Sequence, residues 1–266
     1  MDILQQKSYN IHLIGDSCED VYHYGTCERL SPEAPVPVLK ELRRQTLKGM
    51  SWNVRLNIEA FGSFVTHFTN SEKIRKHRFI DSRYNQHLLR WDEGEDKPLA
   101  TFNTVMLNTE QPPDAVVISD YDKGFLTSKV CRQIIKHYRG LYPDIPIFVD
   151  SKKKDLSCFE DVYIKINEKE FNNLEVKPTN SEFIVTLGER GAMCSEKVYK
   201  TEPVEVFDVC GAGDVFLATV SNMFLYTGNL SKAIMAANKM ASLSVTHVGT
   251  YVITQEDIGE LNDLRV

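Results

Sequence analysis

The 266-residue sequence lacks any apolar run long enough to cross a membrane, and residues 1–7 do not have the pattern of a signal peptide. Its six cysteines form no Cys-x-x-Cys pair and no cluster with histidine at zinc spacing. We therefore expect no membrane association, and free thiols in a reducing, cytoplasmic environment.

Two common nucleotide-binding signatures are also missing. The sequence has no Gly-Lys dipeptide, which excludes a P-loop kinase, and Phe216 stands where a Rossmann dehydrogenase needs its third glycine. The net charge of −6 and the shortness of the basic runs at residues 73–78 and 152–154 argue against a nucleic-acid partner. Without repeats or a Gly/Ser linker, residues 1–266 are predicted to form one domain.

What the chain does contain is an alternation of strand and helix patterns. Buried strands are predicted at residues 9–14, 115–119, 145–149, 162–166, 183–187 and in the apolar run that starts at 206. Helices are predicted at residues 50–61, 128–139 with Gly140 beyond the end, 214–227 and 230–245. This order indicates an α/β fold with a mostly parallel sheet, in which the carboxyl ends of the strands share one cleft.

Two segments do not fit the core. Residues 24–45 contain three prolines, which suits an edge strand or a protruding hairpin better than a central strand. Residues 74–81 and 86–91 resemble a polar hairpin that faces a ligand or a partner. We expect both segments to lie outside the main sheet.

The most informative stretch is Cys210-Gly211-Ala212-Gly213-Asp214. A glycine turn before a helix offers unpaired N–H groups and the positive end of the helix dipole, which together suit a phosphate. A carboxylate beside such a site makes sense if it accepts a proton from an attacking hydroxyl. The alternative from these residues alone is an ordinary loop with a capping Asp214.

Polar residues at other strand ends are weaker candidates. Asp16 follows the first strand, and Asn53 lies in the first turn of the next helix. Either could bind a ligand hydroxyl, but a polar turn and a helix cap explain them equally well.

Taken together, the motifs resemble the ribokinase-type (PfkB) carbohydrate kinases. They are the Gly-Asp after the first strand, Gly49-x-x-x-Asn53, Asn167-x-x-Glu170 and Asp208-x-x-Gly-Ala-Gly-Asp214. The proline-rich octapeptide at 31–38 and the motifs at 85–92 and 119–124 are most similar to the D-glycero-D-manno-heptose 7-phosphate kinases, the kinase half of the bacterial enzyme that makes activated heptose. The resemblance covers nearly the whole chain.

The resemblance implies a ribokinase-like sheet of eight or nine mostly parallel strands, flanked by helices on both faces. A small β lid from about residues 20–46 and 72–92 would also provide a homodimer contact. It implies transfer of the ATP γ-phosphoryl group to the anomeric hydroxyl of heptose 7-phosphate. ATP and Mg²⁺ are the implied cofactors, with a monovalent cation as a further candidate.

Site roles carry over from the family by matched position. Asp214 would be the catalytic base, and the N–H groups of residues 210–213, including Gly211, Ala212 and Gly213, would hold the phosphoryl charge. The implied sugar-binding residues are Asp16, Gly49 and Asn53, with Arg90, Lys123 and Lys152 as candidates for the sugar phosphate. Asn167 and Glu170 would position Mg²⁺ through water. The implied nucleotide-binding residues are Asn167, Glu170, Thr186, Gly188, Asp208 and Asn238.

The sequence departs from the family pattern in several places. Met50 replaces a glycine, so a side chain is expected where bare backbone meets the sugar, and Ser151 replaces a proline. Compared with the family pattern, the sequence lacks a strand–helix segment near 69–72 and a helix near 172–180, and no His-x-Gly-His of a nucleotidyltransferase occurs. Three functions therefore stay open: a heptose-phosphate kinase, a kinase for another sugar or a nucleoside, and a catalytically weak homologue that binds ligand or partner.

Overall fold

The computed structural model describes residues 7–96 and 99–261. Its strands are β1 (Asn10–Gly15), β2 (Ser17–Leu30), β3 (Pro37–Met50), β4 (Phe64–Phe68), β5 (Arg75–Asp81), β6 (Gln86–Glu93), β7 (Ala115–Asp120), β8 (Ile147–Ser151), β9 (Tyr163–Asn167), β10 (Glu182–Thr186), β11 (Ala192–Cys194) and β12 (Lys197–Tyr199). Its α-helices are α1 (Ser51–Ala60), α2 (Ser128–Leu141), α3 (Glu168–Asn172), α4 (Ala212–Thr227), α5 (Leu230–Ser244) and α6 (Gln255–Gly259). None of the helices in these residues is long and apolar enough to cross a membrane.

The larger sheet has eight strands in the order β12-β11-β10-β9-β8-β7-β1-β4. The strands from β10 to β4 are all parallel, and β11 and β12 extend the sheet antiparallel at one edge. The predicted mostly parallel sheet of eight or nine strands is therefore confirmed. Because the strands are parallel, their carboxyl ends open on the same side.

Helices cover both faces of this sheet and form two cores. On one face, α2 buries Val130, Ile134, Ile135 and Tyr138, the side chains that its periodicity assigned to the inner face. On the other face, α1, α4, α5 and α6 pack together, and α4 is buried on nearly all sides along its first three turns. That burial explains why α4 is rich in apolar residues all round rather than along one stripe.

The smaller sheet has the order β3-β2-β5-β6 and is separate from the larger sheet. β2 and β3 form a long hairpin, whose turn contains Pro32 and Pro35 while Pro37 begins the edge strand β3. Prolines at a turn and at the start of an edge strand remove no ladder hydrogen bond that a central strand would need. The proline-rich segment and the polar hairpin thus form one small sheet, as their composition predicts.

Several element predictions are wrong. The apolar run at 206–209 is not a strand: the N–H groups of Phe207 and Asp208 donate to the carbonyl of Val245 at the end of α5, so the run has no neighbouring strand to pair with. Gly140 lies inside α2 rather than beyond it, since that helix continues to Leu141. Strands β4, β11 and β12 were not predicted.

The expected losses relative to the family are visible in the topology. β4 is the edge of the larger sheet, and the chain passes from it to β5 without a helix. Residues 173–181 likewise cross from α3 to β10 with no helix. The fold is therefore trimmed at one sheet edge and on one outer layer.

Met50 does not project into the sugar space, and that expectation is wrong. Its side chain is 4% exposed and belongs to the same buried cluster as Ile14, Cys18 and Ile74. Its backbone nevertheless has φ +56°, in the left-handed region that glycine adopts without strain. Compared with glycine, the methionine at position 50 therefore adds core packing at a strained backbone position.

We expect Met50→Ala to lower Tm more than Met50→Gly. Alanine loses the buried side chain, about 2–5 kcal/mol for Met→Ala, and keeps the strain. Glycine loses the same packing but recovers strain of about 1–3 kcal/mol. Thermal melts of both variants test this order, and a glycine variant less stable than the alanine variant would contradict it. Sugar KM should not change in Met50→Gly.

Candidate active site

The glycine turn before α4 depends on close backbone packing. Gly211 has φ +79° and is the N-cap of α4, and a Cβ at this position would lie 2.7 Å from Asn53 Nδ2. A side chain at 211 would therefore meet both backbone strain and a steric clash. The turn brings the N-terminus of α4 against the first turn of α1.

Hydrogen bonds within the turn occupy some of the backbone N–H groups of residues 210–213. Cys210 N–H donates to Asp208 Oδ1 at 2.9 Å, and Ala212 N–H donates to the Val209 carbonyl at 3.3 Å. Within residues 7–96 and 99–261, the N–H groups of Gly211 and Gly213 have no acceptor. Of the four amides predicted to hold an anion, the two glycine amides are thus the ones left free for it.

Asp208 braces this turn. Besides accepting from Cys210, it accepts from Gly249 N–H at 2.9 Å through its other oxygen. Both carboxylate oxygens are engaged by backbone, so its visible role is to tie the turn to the loop after α5.

Asp214 lies directly inside the start of α4 and is 5% exposed. Its Oδ2 accepts from Asn53 Nδ2 at 3.1 Å, and its Oδ1 accepts from the Tyr121 hydroxyl at 2.8 Å. Burial raises the pKa of Asp214 to about 6, and the two hydrogen bonds oppose that shift. Asn53 therefore holds the carboxylate rather than capping α1.

Asp16 lies near Asp214 through a shared neighbour. Its Oδ2 accepts from Tyr121 N–H at 2.6 Å, and its Oδ1 is buried without a hydrogen-bond partner in the described structure. Burial, followed by repulsion from Asp120, raises the pKa of Asp16 to about 6. An unsatisfied buried carboxylate oxygen is costly unless a ligand hydroxyl satisfies it.

Two residues of this site were missed from the sequence. Tyr121 contacts both carboxylates and lies in the 119–124 motif, which was recognised without a role for the tyrosine. Lys165 is 3% exposed, and its Nζ lies 2.6 Å from the position of a Cβ on Gly213. A lysine in a buried strand was the signal for Lys165, because lysine is almost never buried without a partner.

Lys165 is held by Asp150, whose Oδ2 lies 2.6 Å from Nζ. Lys152 Nζ lies 3.2 Å from Asp150 Oδ1 and 2.9 Å from Glu170 Oε1. Burial opposes ionisation of Asp150, but Lys165 and Lys152 outweigh it and lower the pKa of Asp150. The same ion pairs raise the pKa of Lys152, although burial acts against them. Lys152 therefore stays charged, and Lys165 is ion-paired with Asp150 at the edge of the anion site.

Asn167 and Glu170 form the capping box of α3. Asn167 Oδ1 accepts from Glu170 N–H at 2.8 Å, and Glu170 Oε2 accepts from Asn167 N–H at 3.2 Å. No group of three or more His, Cys, Asp or Glu that could hold a metal occurs in the described residues. Asn167 and Glu170 offer only a few oxygen donors, which suits a Mg²⁺ ion that keeps most of its waters and binds phosphates.

The predicted phosphate-binding side chains are already paired. Arg90 makes two hydrogen bonds to Asp92, at 2.7 and 2.6 Å, and Lys123 pairs with Glu95. By contrast, Lys76 of β5 has no ion pair within the described residues, and its Nζ lies 5.7 Å from the centre of the Tyr121 ring. Lys76, a cation of the smaller sheet beside the Tyr121 ring, is thus one that the sequence did not single out.

Three of the predicted nucleotide residues lie towards the β10–β12 edge of the larger sheet. Thr186 ends β10, and Gly188, with φ +63°, begins the short 3₁₀ turn that follows. Asn238 of α5 donates to the Tyr199 carbonyl at 2.7 Å. Gly49, near the end of β3, has no room for a side chain, because a Cβ there would lie 2.2 Å from Asp20 Oδ2.

Comparison with known proteins gives a family match for part of the chain. Residues 163–257 match the pfkB family carbohydrate kinases. The bifunctional protein HldE of Campylobacter jejuni subsp. doylei is 32% identical over 98% of this chain and 66% of its own length. Residues 163–257 therefore form a pfkB family carbohydrate kinase domain.

Other pfkB relatives show the same extent of similarity. The HldE of Nitratiruptor sp. is 30% identical over 94% of this chain and 64% of its own length. The chain thus spans slightly less than two thirds of these relatives. The alignment with the Campylobacter protein runs over 308 positions, more than this chain contains, so it opens gaps in the chain.

Solved structures show that the fold is ribokinase-like. Phosphofructokinase-2 from Escherichia coli, solved with potassium, superimposes with a TM-score of 0.75 at 16% identity, over 97% of this chain and 99% of the neighbour. Ribokinase from Thermotoga maritima gives a TM-score of 0.66 at 15% identity, over 96% and 99%. The expected fold class is confirmed.

The raised pKa of Asp214 predicts a pH-dependent cost to stability. Because its pKa is about 6 in the folded chain against 3.8 ordinarily, stability is lost as pH rises from about 4 through 6. Asp214→Asn should therefore raise the free energy of unfolding at pH 7.5 by about 1–2 kcal/mol, after allowing for the weakened Asn53 contact.

Denaturant unfolding at pH 7.5 and pH 4.5 measures this effect. The gain should shrink at the lower pH, and exposed Asp144→Asn serves as the control. An Asp214→Asn variant that is less stable than wild type at pH 7.5 would refute the burial cost.

Proposed function

We propose that the protein is an ATP-dependent sugar kinase that phosphorylates the anomeric hydroxyl of D-glycero-D-manno-heptose 7-phosphate. The observation that carries the proposal is a buried carboxylate, Asp214, beside two free glycine N–H groups and the ammonium of Lys165. A site that only binds phosphate gains nothing from a carboxylate there, since it repels the ligand. A site that transfers phosphate to a hydroxyl needs a group to take the proton.

The chemistry then follows from position. The sugar hydroxyl donates to Asp214, which accepts the proton as the new O–P bond forms and the bond to the ADP leaving oxygen breaks. Gly211 N–H, Gly213 N–H and Lys165 stabilise the negative charge on the transferring group. Asn167 and Glu170 would hold Mg²⁺ through water, and the ion would supply neutralisation of the phosphate charge. Thr186, Gly188 and Asn238 would lie along the nucleotide.

The sugar would lie between the larger sheet and the smaller one. Asp16 has a buried oxygen without a hydrogen-bond partner in the described structure, which suits a sugar hydroxyl, and Asn53 and Gly49 would also contact the sugar. For the sugar phosphate we add Lys76 to Arg90, Lys123 and Lys152, because an unpaired ammonium binds a phosphate without first breaking an ion pair. A monovalent cation is a further proposed cofactor, supported by the potassium complex of the phosphofructokinase-2 neighbour.

The choice of heptose rests on the octapeptide at 31–38 and the motifs at 85–92 and 119–124, together with the HldE relatives. Another sugar or a nucleoside, and a weak homologue that only binds, are the competing functions. Six free cysteines are in keeping with a cytoplasmic setting, which we also propose.

Kinase activity is tested with ATP, Mg²⁺ and a panel of sugars, read by ADP release. We expect heptose 7-phosphate to give the highest kcat/KM, and the unphosphorylated sugar to be far poorer. Asp214→Asn should lower kcat by about 10²–10⁴-fold with ATP binding retained, while Asp144→Asn should match wild type. A better substrate elsewhere in the panel would replace heptose, and an Asp214→Asn variant with wild-type kcat would refute the base.

We also propose a two-fold homodimer through residues 20–46 and 72–92. β3 and β6 are the edges of the smaller sheet, and Leu42, Leu89 and Trp91 on these strands are each more than half exposed. Exposed strand edges with apolar side chains favour pairing with a second copy.

Light scattering at micromolar concentration should give twice the 30.4 kDa chain mass. Trp91→Glu should shift the protein to monomer, whereas Leu141→Glu, which changes an equally exposed residue on α2, should not. A wild-type monomer would refute this arrangement.

A further inference from the structure

Tyr121 joins the two carboxylates of the site. It follows β7 directly, so its backbone is fixed by the parallel sheet. Its N–H donates to Asp16 Oδ2 at 2.6 Å and its hydroxyl donates to Asp214 Oδ1 at 2.8 Å. Tyr121 therefore sets the spacing between Asp16, which follows β1, and Asp214, which lies in α4.

The ring of Tyr121 is itself held in place. Lys76 Nζ from the smaller sheet and Lys152 Nζ from the larger one each lie 5.7 Å from its centre. Cations near an aromatic face are attracted to it, so both sheets restrain the ring. The hydroxyl is thereby aimed at Asp214 before any substrate arrives.

From this geometry we infer that Tyr121 is a positioning residue for phosphoryl transfer, which fixes the lone pair of Asp214 that receives the substrate proton. The inference rests on the proposed kinase function. Each carboxylate oxygen has two lone pairs, so Oδ1 can keep the tyrosine and Oδ2 the Asn53 amide while a third lone pair faces the sugar. With both oxygens anchored, rotation of the carboxyl group is restricted, and the attacking hydroxyl finds the base already aligned.

The tyrosine also remains a donor across the working pH range. Burial, then the negative charge of Asp214, raises the pKa of Tyr121 well above its ordinary value, so the phenol stays protonated. A phenol that donates to a carboxylate stabilises its charged form and so opposes the effect of burial on Asp214. The other titratable groups near Asp214 come from β2, β8, β9 and the turn before α4, and they are Cys18, Asp150, Lys165 and Cys210.

The test replaces Tyr121 with phenylalanine, which keeps the ring and removes only the hydroxyl. We expect kcat at pH 7.5 to fall about 10-fold with KM for ATP unchanged, and the acid limb of the pH–rate profile to move up by about one pH unit. The matched control is Tyr138→Phe on α2, which loses a buried hydroxyl contact, to His12 at 2.7 Å, that involves neither carboxylate. The control should leave kcat and the profile unchanged.

A second measurement does not depend on activity. Carboxyl ¹³C NMR of aspartate-labelled protein, with the Asp214 signal assigned by its loss in Asp214→Asn, follows the titration directly. It should move up by about one pH unit in Tyr121→Phe. A 3-fluorotyrosine at 121 is a stronger donor and should move the titration down instead, and it serves if the phenylalanine variant does not fold.

The outcomes separate the two proposals. The role of Tyr121 would be overturned if the wild-type chain is an active kinase but neither substitution at 121 moves the Asp214 titration or the pH–rate profile. A wild-type chain with no activity on any sugar, but with the Asp214 titration moving as expected, would overturn the kinase function and leave the Tyr121 contact established. A titration that moves without any change in kcat would show that the hydroxyl tunes the carboxyl group but does not position it for transfer.

Discussion

The site depends on one constraint, which is that a carboxylate is buried at the N-terminus of a helix. Burial disfavours the charge of Asp214, and only two hydrogen bonds, from Asn53 and Tyr121, support it there. Those donors come from α1 and from the end of β7, so both elements must pack against α4 for the carboxylate to be tolerated. The turn at Gly211 exists in this form because no side chain fits between α4 and Asn53.

The second constraint is the balance of positive charge around the anion site. Lys165 and Lys152 share Asp150, and Lys152 also contacts Glu170. Each lysine has a carboxylate partner even without a phosphate, so the two ammonium groups do not depend on the ligand to offset their mutual repulsion. This arrangement places two lysines, each with a carboxylate partner, at the anion site of a chain with net charge −6. The charge is local, and bulk composition does not report it.

Much of the fold follows from local pattern. Residues 128–139 show the helix period clearly, and the parallel strands from β7 to β10 are short apolar runs bounded by turns. The prediction failed at 206–209, where an apolar run of strand type has no strand beside it, because pairing is decided by the rest of the chain. Strands β11 and β12 have three residues each, too few to show a period.

The site residues also divide into those that the sequence locates and those that only the structure reveals. Asp214, Gly211 and Asn53 stand in motifs that sequence alone can locate, and the structure brings them into contact. Tyr121, Lys165 and Lys76 act through three-dimensional neighbours, and no spacing along the chain connects them to Asp214. Met50 shows the reverse error: a departure from a motif was interpreted as a change in the pocket, whereas the side chain turned into the core.

The trimmed parts of the chain lie where the site does not need them. The missing helix before β10 would cover one face of the sheet near its edge, and the shortened edge beyond β4 lies on the opposite side of the sheet. The carboxylates and lysines instead come from the ends of β1, β7, β8 and β9 and from the start of α4, which are neighbours in the middle of the sheet. Loss of an outer layer removes buried apolar area and so reduces stability, but it leaves these central strands in register. The strained Met50, which fills the core at the junction of the two sheets, adds apolar packing to a fold that has lost some elsewhere.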